Sequence, residues 1–292
     1  MNAWLVLLLL LRLPQLACLP INPHATLQTP HAADRSNNLW GLAGIQVNRV
    51  NRQRRAIATI SGLRALIHFE HEYENEQSLN RIPNAVPPGP VWLRNFIGED
   101  YFRRAAVVDF AYGYPERQRL GLPSVADDDL RCLTWLPDLR YIEIGHTTGV
   151  TDAGFVHFRN LKRLRSLSLY NTPVTGSGLV QLAGLPRLEC LSLGKTRLKS
   201  QHVSALAQLH QLKALGLDGT PITDDDLFAL GPLQMLESLS LTNTAISDRG
   251  LPYLERLTNL RILTLPAGIS DEGLNHLQQA LPQCQIGRVK QK

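Results

Sequence analysis

The sequence predicts an α/β fold built as a solenoid, in which short strands and helical segments alternate in stacked units. Leucines begin the same phrase, L-x-x-L-x-L, every 24 residues, as Leu164, Leu188, Leu212, Leu236 and Leu260. The phrase has the two-residue period of a strand, and the segment after it has apolar residues three apart, as on a helix. Five registered copies of one strand-and-helix unit indicate a repeat array whose units stack on one another.

Weaker copies extend the array in both directions. Leu139-Arg-Tyr-Ile142-Glu-Ile144 fits the phrase, and Val107-Val108-Asp109-Phe110 has the pattern of an earlier strand. Repeats are therefore expected over residues 105–279. Residues 280–292 contain a shortened strand pattern followed by a basic tail, and we expect them to form a C-terminal cap.

The repeated phrase resembles the consensus of leucine-rich repeat proteins, L-x-x-L-x-L-x-x-N/C-x-L, which recurs every roughly 20 to 29 residues. The chain resembles bacterial members of this family over about two thirds of its length. The resemblance implies a horseshoe-shaped solenoid, with a parallel β-sheet on the concave face and helices on the convex face. The phrase Ile/Val-Thr/Ser-Asp-x-Gly-Leu is also similar to the cysteine-containing repeats of F-box proteins, with threonine in place of the usual cysteine.

Two polar columns accompany the leucines. Threonine stands where the family usually has asparagine, and we expect its hydroxyl to bond to the turn of the adjacent repeat, at Thr172, Thr196, Thr220 and Thr244. A second column is expected to supply helix N-caps, followed by aspartates that favour the helix dipole, at Thr151, Thr175, Thr223, Ser247 and Ser270. Lys199 departs from this column, so a weaker turn is expected there.

Ahead of the repeats, two segments suggest export or membrane attachment. Residues 1–18 contain the apolar run Trp4–Leu11, whose length suits an export signal or an anchor. The sequence leaves open whether this segment is cleaved or retained. Residues 19–51 are expected to form a linker that ends in a basic, juxtamembrane-like stretch. The protein is therefore expected to be exported or anchored at the cell envelope.

Residues 52–104 are expected to form an α/β cap for the N-terminal end of the solenoid. Ile67, Phe69 and Tyr73 alternate with polar residues, as on a half-buried strand. A helix after Pro90 has an apolar face formed by Trp92, Leu93, Phe96 and Ile97. Because stacked repeats leave an apolar end that needs a cover, we expect these aromatic residues to close the first repeat.

Charge and motif content argue against nucleic-acid binding and catalysis. Up to Arg104 the chain has eleven Lys and Arg against seven Asp and Glu, and after it nineteen against eighteen, so the repeats carry no basic stripe. No nucleophile elbow, zinc-protease motif, phosphate loop or dinucleotide motif occurs. The cysteines lack zinc-ligand spacing, at Cys18, Cys132, Cys190 and Cys284. We therefore expect no cofactor and no nucleic-acid ligand.

Two groups of metal-like residues have simpler interpretations. His68 and His71 are three apart on the expected strand, so they would face opposite sides and not share an ion. The acidic triplets at 127–129 and 224–226 stand at expected helix starts, where capping explains them. No metal site is expected, although a metal-dependent enzyme that uses His68, His71 and the acidic loop stays open as an alternative.

The residues between the strand leucines are expected to face outward on the concave sheet. Most are Ser, Gly, Ala or Thr, which permit close approach but supply few anchors. A border of charged residues runs beside them, formed by Arg140, Arg165, Glu189, Lys213, Glu237 and Arg261. The best candidates for contact are Tyr141, Glu143, Arg165, Tyr170 and Asp218.

These observations predict a non-enzymatic protein that binds a protein partner, of unspecified identity, through the concave sheet. An F-box-like adaptor that recognises substrates is an alternative suggested by the repeat phrase, although residues 1–104 do not resemble a recruiting module. A structural protein of the cell envelope is another. The sequence does not separate these readings.

Overall fold

The computed structural model describes residues 32–74, 81–101, 103–112, 118–121 and 124–288. The chain divides into two units, Met1–Arg55 and Ala56–Lys292, and the second contains the repeats. The expected signal or anchor at 1–18 lies outside the described residues, as does the linker up to residue 31.

Helix α1 spans Ala32–Gly62 and occupies much of the expected linker. From Ala32 onward, the expected linker is helical. The chain has no proline between Pro30 and Pro83, so no residue in this stretch lacks a backbone donor for the helix. Its glycines and polar residues lower helix propensity without breaking the helix. Over the described residues, no helix combines the length and apolar character needed to cross a membrane.

The second unit is organised around one nine-stranded sheet whose strands follow chain order. The first pair is antiparallel and all later pairs are parallel. The strands are β1 Leu66–Phe69, β2 Ala105–Asp109, β3 Tyr141–Glu143, β4 Ser166–Ser168, β5 Cys190–Ser192, β6 Ala214–Gly216, β7 Ser238–Ser240, β8 Ile262–Leu265 and β9 Gln285–Arg288. Short parallel strands joined by convex crossovers confirm the predicted leucine-rich repeat solenoid.

The core lies directly behind this sheet and follows the leucine period. From β4 to β8, one register row consists of buried leucines, Leu167, Leu191, Leu215, Leu239 and Leu263. Burying one such side chain contributes roughly 1.5 to 3 kcal/mol. Each leucine of the row packs between apolar residues of the repeats before and after it. A repeat is therefore stabilised chiefly by its neighbours.

The convex segments are mostly short 3₁₀-helices. These are Asp127–Trp135, Asp152–His157, Leu179–Leu182, Ser204–Gln208, Asp224–Leu230 and Asp248–Gly250. The α-helical pieces are α3 Ser200–Val203, α4 Leu251–Leu254 and the longer α5 Asp271–Ala280. A 3₁₀-helix rises about 2.0 Å per residue against about 1.5 Å for an α-helix, so it returns the chain across the repeat with fewer residues.

The threonine column closes turns within its own repeat. The Thr172 hydroxyl donates to the carbonyl of Leu169 at 2.7 Å, and Thr196 and Thr220 bond in the same way. The expected bonds to the adjacent repeat are therefore wrong, because each of these hydroxyls donates to a carbonyl of its own turn. The residue before each threonine has a positive φ, which sets the turn: His146, Asn171, Lys195, Gly219 and Asn243.

The aspartates that follow the second column form a column of their own, and they make the bonds between repeats. The Asp127 carboxylate accepts bonds from the N–H of Thr151 at 2.8 Å and from its hydroxyl at 2.6 Å. Asp224 accepts the same pair from Ser247 at 2.8 and 2.6 Å. A carboxylate reaches further than a hydroxyl and accepts several bonds, so each aspartate ties its repeat to the next one.

Asp152 is the most connected member of this column. It accepts four hydrogen bonds, from the N–H and hydroxyl of Thr175 and from the N–H groups of Gly176 and Gly178, at 2.8 to 3.0 Å. Partial burial raises the pKa of Asp152, but the bonds from Gly178, Thr175 and Gly176 lower it by more, so the pKa lies below its usual value. The charged carboxylate is thus favoured in the folded protein.

The predicted caps form at several positions of the column. Hydroxyls accept from a backbone N–H at Thr151, Ser247 and Ser270, and Thr223 forms a capping box with Asp226. Lys199 makes no side-chain cap, as expected. The prediction is wrong at Thr175, because Gly178 precedes that 3₁₀-helix and Thr175 bonds to Asp152 instead.

At the N-terminal end, β1 extends the sheet as predicted. Ile67 and Phe69 pack against the core, and Tyr73 is buried after the 3₁₀-turn Glu70–Glu72. The Arg140 guanidinium lies 5.8 Å from the centroid of the Tyr73 ring. Tyr73 therefore contributes to closing the first repeat.

The expected apolar face of α2, Val91–Ile97, is wrong in part. Leu93 is buried, but Trp92 and Phe96 are 49% and 72% exposed. The inward side of this two-turn helix is occupied by Leu93 and by the buried Arg94, which donates to the carbonyl of Pro87. Trp92 and Phe96, one turn apart, share the outward side.

Candidate functional site

The concave face has three outward columns, in the register that the sequence predicted. Tyr141 lies beside Ser166, and Glu143 lies beside Ser168. Side chains at these positions are half-buried, while the leucines between them point into the core. Most of the outward residues are small, namely Ser166, Ser168, Ser192, Gly194, Ala214, Gly216, Ser238, Ser240, Thr242 and Thr264. The sheet backbone is thus accessible along several strands.

Tyr170 lies two residues after the end of β4, against the backbone of the next repeat. A Cβ added to Gly194 would come within 2.8 Å of the Tyr170 ring, so the glycine leaves room for it. The Lys195 ammonium lies 5.2 Å from the ring centroid, and the His146 ring lies 5.5 Å from it. A hydrogen bond with Tyr170 raises the pKa of Lys195. This aromatic group is held in place from both neighbouring repeats.

Glu143 and Asp109 stand side by side on β3 and β2. Glu143 accepts a hydrogen bond from the N–H of Gly145 at 2.9 Å, and Asp109 accepts one from the N–H of Tyr112 at 2.8 Å. Both side chains are half-buried, and Tyr112 is exposed. The N-terminal end of the concave face is therefore acidic and aromatic.

Asp218 lies at the centre of a chain of hydroxyl groups. It accepts hydrogen bonds from Ser240 and from Thr242, the latter at 2.6 Å. Ser240 also lies 2.6 Å from the Thr264 hydroxyl. Because these groups satisfy one another, Asp218 is positioned rigidly but has some of its acceptor capacity already used.

The charged border forms ion pairs along the edge of the sheet. Glu189 lies between Arg165 at 3.5 Å and Lys213 at 3.6 Å, and Arg261 pairs with Glu237 at 3.7 Å. Such partly exposed pairs contribute little to stability. Arg140 was expected in this border, but it is only 1% exposed and lies beneath Tyr73, so that prediction is wrong.

The structure places the five predicted contact residues on or beside strands β3, β4 and β6. Tyr141 and Glu143 share β3, and Tyr170 follows the adjacent strand β4. Arg165 lies at the border, just before β4, and Asp218 lies two strands beyond Tyr170, about 10 Å away at the usual strand spacing.

Sequence reasoning missed three residues of this surface. His146 and Lys195 flank Tyr170, and Asp109 stands beside Glu143. Asp109 could have been found by extending the column of Glu143 by one repeat. His146 and Lys195 hold positive-φ turn positions, which the L-x-x-L-x-L phrase does not identify.

Reactive groups on this surface are few. Cys190 is exposed on β5, and desolvation by its surroundings together with Glu189 raises the pKa of its thiol, which makes it a weak nucleophile at neutral pH. Within the described part of the chain, no three His, Cys, Asp or Glu residues are grouped to hold a metal ion. The Nδ1 atom of His68 lies within hydrogen-bond distance of Glu72, at 3.1 Å.

No protein-family model and no curated protein matches the sequence. Solved structures that are similar to the chain include an internalin, inlF, from Listeria monocytogenes, with 25% identity and a TM-score of 0.45, covering 56% of this chain and 44% of that one. Internalin C2 from the same organism shows 21% identity and a TM-score of 0.39, covering 59% of this chain and 90% of that one. The chain spans less than half of the inlF structure. Its own strand order and register define it as a leucine-rich repeat solenoid.

Proposed function

We propose that this protein is a non-enzymatic leucine-rich repeat protein, of bacterial type, that binds another protein through its concave sheet. The proposal rests on one observation: most of the face has small side chains, and one part of it has large aromatic and acidic side chains. Small side chains line most of the outward positions from β4 to β7, while the larger Tyr141, Glu143 and Tyr170 lie on β3 or after β4, nearer the N-terminal end of the sheet. Protein interfaces use this combination of aromatic anchors and close backbone contact.

The rigidity of the face supports the same proposal. Tyr170 is held by Gly194, His146 and Lys195, and Asp218 is held by hydroxyl groups of the following repeats. Side chains that are ordered before binding lose little conformational entropy when a partner arrives. A surface of this kind suits recognition better than catalysis, which would require an activated group.

The location of the protein follows from the N-terminal apolar run rather than from the repeats. Trp4–Leu11 supports export or anchoring at the cell envelope. The near-neutral repeats support a protein partner and not nucleic acid.

The double variant Tyr141→Ala and Tyr170→Ala tests the proposed face. A partner is first captured from the native host on the full-length protein, then purified, and its affinity is measured by calorimetry. We expect the double variant to weaken binding by at least about tenfold, because truncating an interface anchor typically costs more than about 1 kcal/mol. Phe228→Ala is the matched control, since Phe228 is 64% exposed on the convex side and should leave affinity unchanged. Equal affinity of the double variant and the wild type would place the interface elsewhere.

A further inference from the structure

The N-terminal end of the concave sheet carries two carboxylates in a position that ordinary sheet packing disfavours. Asp109 and Glu143 are direct register partners on β2 and β3, and both point outward. Like charges directly opposite each other on a sheet destabilise it. The pair therefore adds negative charge to this end of the concave face at some cost to the fold.

Neither carboxylate has a cationic partner among the residues that the structure describes. Their hydrogen bonds come from two backbone N–H groups, those of Tyr112 and Gly145. These bonds go to Oδ1 of Asp109 and to Oε1 of Glu143. The second oxygen of each carboxylate is left to accept hydrogen bonds from a ligand.

Several basic side chains of the neighbouring strands and turns are engaged with other groups. Arg165 pairs with Glu189, His68 pairs with Glu72, and Lys195 lies over Tyr170. Arg140, which precedes Tyr141 in the chain, is buried beneath Tyr73. These side chains therefore do not supply the positive charge that would balance the pair.

Aromatic side chains stand beside the carboxylates. Tyr141 precedes Glu143 by two residues on the same face of β3, and the exposed Tyr112 follows Asp109 in the chain. Tyrosine rings attract cations through their π-faces, and paired carboxylate oxygens suit the planar fork of a guanidinium. The two features select the same kind of ligand group.

We infer that the end of the concave face formed by Asp109, Tyr112, Tyr141 and Glu143 docks an arginine-bearing segment of the protein partner. The inference rests on the proposed function and specifies the chemistry of the partner. Charge complementarity selects the occupant: an acidic partner would be repelled by the two carboxylates, and an apolar one would leave them desolvated without a partner.

Short peptides test the inference without knowledge of the partner. The probe is an acetylated, amidated pentapeptide in which arginine alternates with glycine, and its match replaces arginine with citrulline, which keeps the shape and removes the charge. Binding to the full chain is followed by the amide NMR signals of Gly145 and Tyr112, whose N–H groups donate to the two carboxylates. We expect concentration-dependent shifts of both signals with the arginine peptide, with an affinity that falls as salt is added.

Charge-neutral variants provide the second arm. Asp109→Asn together with Glu143→Gln is expected to weaken binding of the arginine peptide by at least about fivefold, because charge-assisted bonds are replaced by neutral ones. The matched control is Asp128→Asn together with Asp225→Asn, which changes the net charge equally at exposed convex positions and should leave binding unchanged. Each single variant of the pair should show a smaller loss, which keeps the test usable if the double variant unfolds. Equal shifts with the citrulline peptide, or full binding by the double variant, would overturn the inference.

The captured partner separates this inference from the proposed function. Loss of partner affinity in the tyrosine double variant with full affinity in the Asp109 and Glu143 variant would refute the inference and leave the concave interface standing. Full affinity in both variants would refute the interface itself. Loss in both supports the two proposals together.

Discussion

Replacing Asp152 with alanine is expected to lower the free energy of unfolding by roughly 2 to 3 kcal/mol. The change removes the acceptor of four hydrogen bonds, including those from the N–H groups of Gly176 and Gly178. Hydrogen bonds to a charged group contribute roughly 1.5 to 3 kcal/mol each in favourable cases, but partial exposure and access of water reduce the total here. Urea denaturation monitored by circular dichroism measures the difference.

Asp248→Ala is the matched control for this substitution. Asp248 occupies the same column but accepts its bonds from Ser270 alone, at an exposed site. Its removal should cost clearly less than the removal of Asp152. Similar losses for the two variants would show that the connections of Asp152 do not stabilise the stack.

The same carboxylate gives the stability a defined pH dependence. The pKa of Asp152 is lower in the folded protein than its usual value of about 3.9, so its stabilising contribution is complete above that value and is lost as the pH falls through the lower, folded pKa. The isosteric variant Asp152→Asn lacks this titration. The stability gap between wild type and variant should therefore narrow as the pH is lowered from about 5 towards 3.

Gly178→Ala is expected to destabilise the fold by about 1 to 3 kcal/mol, the usual range for overpacking. An added Cβ would lie 2.6 Å from the Phe155 ring and 2.8 Å from the carbonyl oxygen of Asp152. Phe155 is fully buried, so neither group can move without disturbing the preceding repeat.

Gly184→Ala is the control for the glycine substitution. Its nearest neighbour within 4 Å would be the flexible Lys162 ammonium at 3.5 Å, so the added methyl group has room. We expect no loss of stability there, and a small gain is consistent with lower entropy of the unfolded chain. Thermal denaturation of both variants gives the comparison, and unchanged stability of the Gly178 variant would contradict the steric argument.

Gly178 is one of four glycines that each pack against an aspartate of the preceding repeat. This pairing lies outside the L-x-x-L-x-L phrase. Glycine occupies this column wherever a Cβ would come within 3 Å of an aspartate of the preceding repeat, at Gly154, Gly178, Gly250 and Gly273. Two repeats have another residue in the glycine column, and in both the preceding repeat lacks the aspartate. Gly176 replaces the aspartate before His202, and Ser200 replaces it before Asp226. The aspartate of one repeat and the glycine of the next thus form a matched pair between repeats.

The strand register and the outward columns could be predicted because they follow from the two-residue period alone. Once Leu167 and Leu191 point inward, the residues on either side of them must face the concave surface. The convex segments could not be predicted as closely. Whether a convex segment forms a 3₁₀-helix or an α-helix depends on the distance that its few residues must span across the repeat. The spacing of apolar residues does not give that distance.

Features that depend on contacts between repeats were the hardest to predict. Thr172 and Asp152 are both polar residues near a turn, and only the three-dimensional spacing shows that the aspartate reaches the next repeat while the threonine bonds to its own. The cap shows the same limit, since Trp92 and Leu93 are adjacent in an apolar pattern but face opposite environments. The exposed side of α2 is set by where the helix packs, and its sequence alone leaves that open.

Protection of Cys190 by the bound partner tests the concave interface most directly. The thiol is exposed at the centre of the sheet, in the register column of Tyr141 and Ser166. Cys132 and Cys284 are buried, and burial raises the pKa of Cys132 to about 12, so both serve as unreactive internal references. Cys18 lies outside the described residues and is replaced with serine.

The measurement is the rate of alkylation of Cys190 by iodoacetamide, read by mass spectrometry with and without the captured partner. With partner present at about ten times its dissociation constant, the fraction of free protein falls to roughly one tenth. A partner seated on the concave sheet should therefore slow the alkylation of Cys190 by about tenfold. An unchanged rate at saturation would show that the partner binds elsewhere and would contradict the proposed interface.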